Sequence, residues 1–325
     1  MKRTIYALIA VWTLILAAPL AQGEGPADET RFALRQEFIR IINRDRAHFG
    51  LAPVQLDPEA SNIADTYCKQ QIRYGTTGHF TVDGQSPYMR YSFAGGNDGV
   101  SENAAAWSAN YSFSDRALYE MMRRSEEAMM AEVEPHDGHR RTILDPYATH
   151  VGIGLAWEGG EFRMTQEFIR RYVDWGRPLP RTATAGEHVV MSGRPLSGYD
   201  IDAITVHQEP LPQPLTARAA NAIDGYSLPD RRREYLPRLK TTVQVGRNGE
   251  VHETREEYAD GRRGDFRVAD DGSFAFVIPF GDGPGIYTVV VWVKKPGAAE
   301  SIPASNVSIR VARGAQSGDA EYSSR

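Results

Sequence analysis

The composition of this chain changes after Trp175, from helical spacing with one pair of strands to recurring short strand-like runs. That change predicts a helix-bearing unit followed by a strand-built one. Upstream, Leu34, Phe38, Ile41 and Ile42 recur at helical spacing within Arg31 to Phe49, and Gly50 supplies a stop. Asp57 can cap a second helix with Pro58 in its first turn and Ala60, Ile63, Ala64, Tyr67 and Cys68 on one face, fading near Tyr74 and Gly75. Thr76 to Val100 is rich in Gly, Ser and aromatics and reads as ordered loop. Ser114 opens a third helix to about Glu132 that repeats Leu118, Met122 and Met129, and a short one begins near Gly138. Val151 to Trp157 and Phe162 to Phe168 are strands joined by the turn Glu158-Gly159-Gly160-Glu161, which makes the first unit, residues 30–175, α+β.

Residues 176–186 carry Pro, Thr, Ala and Gly without periodicity, as a linker does. Beyond them short strand-like runs recur, among them Ile201 to Val206, Phe274 to Ile278, Tyr287 to Val293 and Val307 to Val311, with turn signals such as Asp270-Asp271-Gly272 between them. This predicts an all-β sandwich over 187–313, and the small polar residues 314–325 read as a disordered tail.

Lys2 and Arg3, the apolar run Tyr6 to Ala18 and the small residues around Ala21-Gln22-Gly23 read as a signal peptide over 1–23, so the mature protein is expected to be secreted or periplasmic. Removing it takes the formal charge from -5 to -7, which argues against a nucleic-acid partner. No other stretch is long and apolar enough to cross a membrane. Cys68 is the one cysteine, so no internal disulfide can form, and its apolar helical surroundings predict a buried thiol.

The candidate chemistry lies in the first unit. His79 and His139 each follow a glycine, and Ser101-Glu102-Asn103 falls between them. Two imidazoles and a carboxylate converging in a cleft can hold a divalent metal or pass a proton. A second acid is expected from the third helix: Glu126 follows Met122 by four residues and shares its inward face, with Glu127, on the Glu120 and Arg123 face, as the alternative. Pro135 and Gly138 argue for a turn around His136, which reads as a surface neighbour.

Taken in order, Ile42-Asn43 with Arg46, Leu56, Gly78-His79, Ser101-Glu102-Asn103, Gly138-His139-Arg140, Val151-Gly152-Ile153-Gly154 and Thr165-Gln166-Glu167-Phe168 resemble the CAP superfamily of cysteine-rich secretory, antigen 5 and pathogenesis-related proteins, in its bacterial SCP-domain branch. The resemblance covers about residues 32–173 and implies an α-β-α sandwich whose cleft holds two histidines and two glutamates. It carries over His79, Glu102 and His139 directly, with Glu126 or Glu127 as the fourth member. Gly264 through Tyr287 resembles bacterial immunoglobulin-like or carboxypeptidase-regulatory-like modules. The expectation is therefore a module that binds zinc or another divalent cation through His79 and His139, directed at an envelope or extracellular protein, polysaccharide or lipid. The alternative is a metal-assisted, peptidase-like hydrolase with Glu102 as base.

Overall fold

The computed structural model describes residues 26–314 apart from 240, 246, 247 and 249, so the expected signal peptide and residues 315–325 of the tail lie outside the described residues. In chain order the first unit contains α1 (Pro26–His48), β1 (Gln55–Leu56), α2 (Pro58–Tyr74), α3 (Pro87–Phe93), β2 (Gly99–Ser108), α4 (Asp115–Met130), α5 (Gly138–Ile143), β3 (His150–Glu158) and β4 (Glu161–Arg170). The remainder contains β5 (Val173–Trp175), β6 (Thr182–Thr184), β7 (Val189–Pro195), β8 (Asp200–Glu209), α6 (Ala217–Asn221), β9 (Arg232–Tyr235), β10 (Thr241–Val245), β11 (Val251–Arg255), β12 (Arg267–Val268), β13 (Phe274–Ile278), β14 (Gly285–Lys294), β15 (Ile302–Pro303) and β16 (Val307–Ala312). The class is α+β, with helices and one sheet first and a β-rich region after it.

Local chemistry sets the helix ends where the sequence placed them. Asp57 accepts the Ala60 N–H at 2.9 Å to open α2, and Gly75 closes it in the left-handed conformation at φ 69°. The stretch expected to be loop contains α3, which the aromatic-rich sequence concealed. Its side chains Tyr88, Met89 and Tyr91 are buried against Ala60, Val100 and Ile169.

The first sheet has the order β1-β3-β4-β2, which makes β2 an edge strand. On β3, Val151, Ile153 and Leu155 enter a core with Phe38 and Ile42 of α1 and Leu118 and Met122 of α4. The alternate residues Gly152 and Gly154 lie under α2. A Cβ on Gly154 would stand 2.4 Å from Ala64 Cβ, so only glycine lets helix and strand approach this closely. Cys68 is fully buried there, its Sγ 3.4 Å from Thr165 Oγ1, and burial pushes its thiol up to about 12.

In the β-rich region, Met191, Phe274 and Phe276 from one sheet (β12-β13-β7-β5) share a core with Ile204, Val289, Val291 and Ile309 from the other (β6-β16-β14-β8-β9). The two units are not joined by a bare tether. β5 pairs with β7, and β6, inside the stretch read as linker, pairs with β16, so both segments spend their backbone donors on the second region's sheets. Asn306 meets Val100 N and O at 3.2 and 3.1 Å, and Gly99 N donates to Ala304 O at 3.0 Å.

Candidate functional site

The two faces of the first sheet sort the polar residues. Glu102 lies opposite Glu167 across β2 and β4, and Asn103 lies opposite Gln166, so successive pairs project from opposite faces. Glu102 and Glu167 are both buried on the α2 side. Arg90 of α3 reaches both, making a short ion pair with Glu102 and a longer one of 3.5 Å with Glu167. Its other terminal nitrogen donates to His79 O at 3.1 Å, and its guanidinium lies 3.5 Å from the Tyr67 ring centroid. Burial works against the Arg90 charge, but Glu102, Tyr67 and Glu167 outweigh it and the net shift is upward. Burial raises both carboxyls, and the Glu102 charge lifts Glu167 further, well above the usual range. Glu102 therefore holds the charge that Arg90 balances, and Glu167 keeps its proton.

His79 sits on this face. The Tyr67 hydroxyl and the Gln71 amide donate to Gly78 O at 2.6 and 2.8 Å, which fixes the loop, and His79 Nδ1 lies 2.8 Å from Glu102 Oε1. An ionised Glu102 accepts only, so Nδ1 carries the proton. Burial, then the Arg90 charge, pushes the imidazole down to about 4, which keeps it neutral near pH 7.

His139 arrives from the other side on α5. Buried Arg46 donates to Ile143 O and Asp145 O at 2.7 and 2.9 Å and so ties the end of α5 to α1. Asn103 Nδ2 donates to His139 O at 3.1 Å. Glu132, just past α4, accepts from the His139 N–H at 3.0 Å and meets its Nδ1 at 2.5 Å. The two rings stand 6.4 Å apart between centroids and inclined at 33°, each with Nδ1 on a carboxylate. Neither Nε2 has a hydrogen-bond partner among the described residues.

The structure thus brings His79, Glu102 and His139 together. It places Glu126 elsewhere: Glu126 is fully buried among the side chains of α4 and accepts from Gln166 Nε2 at 2.5 Å, and Gln166 in turn accepts from Asn103 Nδ2 at 3.0 Å. The sheet stands between Glu126 and Glu102. Burial raises Glu126 to about 7. Glu127 pairs with Arg123 on the exposed face, and His136 is exposed. The carboxylate at the second histidine is Glu132, which sequence reading passed over because it falls outside the apolar repeat. Its place seven residues before His139 was the available signal. Arg90 and Glu167 were missed as well, the first inside an unrecognised helix, the second visible only once the register of β2 and β4 is known.

Comparison with known proteins finds matches over part of the chain. Residues 39–168 match the family model described as the Cysteine-rich secretory protein family, CAP. A curated relative, the Uncharacterized protein YkwD of Bacillus subtilis (strain 168), is 27% identical over 138 residues, 42% of this chain and 47% of that protein. The chain therefore spans about half the length of the curated relative it matches. A solved structure, an extracellular protein containing a SCP domain from Bacillus anthracis str. Ames, is 18% identical over 48% of this chain and 45% of that one, with a TM-score of 0.33. The family match falls within the first unit, and the β-rich region lies outside it.

Proposed function

We propose that this is an exported CAP-domain protein that acts as a binding module at the cell envelope or outside the cell, and that its cleft takes a divalent cation such as zinc through His79 and His139. The observation that carries the reading is the pair of imidazoles 6.4 Å apart with both Nδ1 atoms held by carboxylates, Glu102 and Glu132. Ligating histidines use this arrangement: the second-shell acid fixes the tautomer and leaves the Nε2 lone pair for an ion at about 2.0–2.1 Å. Among the described residues no group of three or more His, Cys, Asp or Glu is arranged to hold a metal. A cation here would rest on two protein nitrogens and share its remaining positions with water or with a partner's donor groups, where it would act as a Lewis acid.

The donor set favours binding over hydrolysis. Both oxygens of Glu102 are already engaged, one by His79 and one by Arg90, and the side chain is buried, which is a poor position for a base that must take a proton from water. The immunoglobulin-like reading of the second region fits a role in presenting the CAP domain to an envelope protein, polysaccharide or lipid. Among the described residues no helix is long and apolar enough to cross a membrane. Zinc titration by calorimetry on the wild type, His79→Ala and His139→Ala tests the reading. Saturable uptake lost in both variants is expected, and uptake unchanged in either one refutes it.

A further inference from the structure

β8 and β9 are antiparallel neighbours, with His207 opposite Arg232, yet the chain leaves the second region between them and returns only after residues 210–231. A hairpin between such strands needs about two to five residues. The excursion runs across the first unit. Leu215 N donates to Val82 O at 2.7 Å, Thr77 N donates to Asn221 Oδ1 at 2.9 Å, and Asn221 Nδ2 donates to Gly75 O at 3.0 Å. A Cβ on Gly84 would stand 2.4 Å from Gln213 O, so the loop beside His79 leaves no side chain in the path of this segment.

The segment ends at the histidine site. The Tyr226 ring lies edge-on to His79 with centroids 5.0 Å apart. Its hydroxyl accepts the Glu102 N–H in a short hydrogen bond and lies 3.3 Å from Glu102 O. These are backbone groups of the edge strand β2, two residues along from those of Val100 that Asn306 satisfies. One hydroxyl thereby meets both the donor and the acceptor that an added strand would use. Within 210–231 only Ala220 is fully buried, and Tyr226 and Leu228 pack half-buried against the cluster of Tyr88, Met89 and Tyr91, so the segment's apolar hold is concentrated at its end beside the histidine site.

We infer that the outer edge of β2 beside His79, at Glu102, is a seat for an extended polypeptide carrying a tyrosine, and that residues 210–230 fill it in cis as a displaceable strap. The inference rests on the reading of this cleft as a binding site and names the class of its ligand. A partner with the same chemistry gains the seat only by competing with a tethered occupant, whose effective concentration is on the order of millimolar. Partner engagement is thereby coupled to release of the strap.

The test replaces residues 210–230 by an Asn-Gly turn and follows binding of a fluorescent synthetic peptide of residues 210–230 by anisotropy. The peptide is expected to bind the strapless protein saturably and at least about tenfold tighter than the full chain, and the peptide carrying Tyr226→Ala is expected to lose that affinity. No saturable binding to a cooperatively melting strapless protein, or equal binding of both peptides, overturns the proposal. Zinc titration of the same protein separates the two readings: zinc uptake without peptide capture sinks the strap alone, whereas loss of both sinks the cleft. If the strapless chain does not fold, carbethoxylation of His79 is followed by mass spectrometry in the full chain carrying Tyr226→Ala, with exposed His48 as internal reference. Severalfold faster modification supports the strap, and an unchanged rate overturns it.

Discussion

Replacing Glu126 by glutamine should raise the stability of this protein at pH 8 relative to its stability at pH 4.5, when each is set against the wild type. The carboxyl is fully buried, Oε2 accepts from Gln166, and Oε1 has no partner among the described residues. Burial raises its folded-state value from 4.5 to about 7. Between those limits the folded state binds more protons than the unfolded chain, so stability is greatest below pH 4.5 and falls as the pH rises toward 7. At about 1.36 kcal/mol per unit the loss amounts to about 3 kcal/mol by pH 8. Glutamine keeps the oxygen that accepts from Gln166 but brings two N–H donors where the protonated acid brings one O–H, so the variant escapes the cost of ionisation while the extra donor adds a cost that is the same at every pH.

His79 adds a second consequence. Its folded-state value is lowered from 6.5 to about 4, so between those values the unfolded chain binds more protons and stability rises with pH, again by about 3 kcal/mol. In the wild type the two slopes oppose one another from about pH 4.5 to 6.5. Glu126→Gln removes one of them and leaves the rise due to His79 exposed. Urea unfolding at pH 4.5, 6 and 8, with constant m-values, measures the difference directly. A gap between variant and wild type that does not vary with pH, or one that moves against the variant as the pH rises, would refute the reasoning.

Glu132→Ala should weaken zinc binding by about 10–100-fold, since it removes the acid that orients His139, while Glu126→Gln leaves zinc binding unchanged; calorimetric titration of the two variants distinguishes the roles. Arg90→Ala strands Glu102 beside Glu167 without a cation and should cost about 3–5 kcal/mol in chemical unfolding, with part of the loss restored by adding Glu102→Gln. Gly154→Ala forces its new carbon into α2 at Ala64 and should cost about 1–3 kcal/mol in the same assay, whereas alanine at exposed Gly138, where a Cβ meets nothing within 4 Å, should cost less.

Period and punctuation carried much of the fold into the sequence. Asp57 before Pro58, Gly75 after Tyr74 and the alternation of Val151, Ile153 and Leu155 with glycines each report a local rule that the neighbouring chain then obeys. Local rules failed at α3, because Tyr88, Met89 and Tyr91 bury aromatic and sulfur groups around a short helix with no repeat long enough to register. They also failed at the boundary between the units, where β5 and β6 gain their strand character from partners far along the chain.

The site was legible in the same uneven way. His79, Glu102 and His139 stand beside glycine or in a recognisable triplet, whereas the identity of the second acid depended on which face of a sheet each residue occupies. Glu126 satisfied the helical rule it was chosen by and does turn inward, but inward on α4 leads to Gln166, on the face away from Glu102. The histidines can meet because β2 is an edge strand, so loop and helix approaching from opposite faces converge beside it without crossing the sheet. The same edge leaves outward backbone groups at Val100 and Glu102 that need partners, and Asn306 and Tyr226 supply them from the second region. One topological fact therefore both assembles the histidine pair and requires a cover for it, and nothing near residue 226 in the sequence could have announced that role.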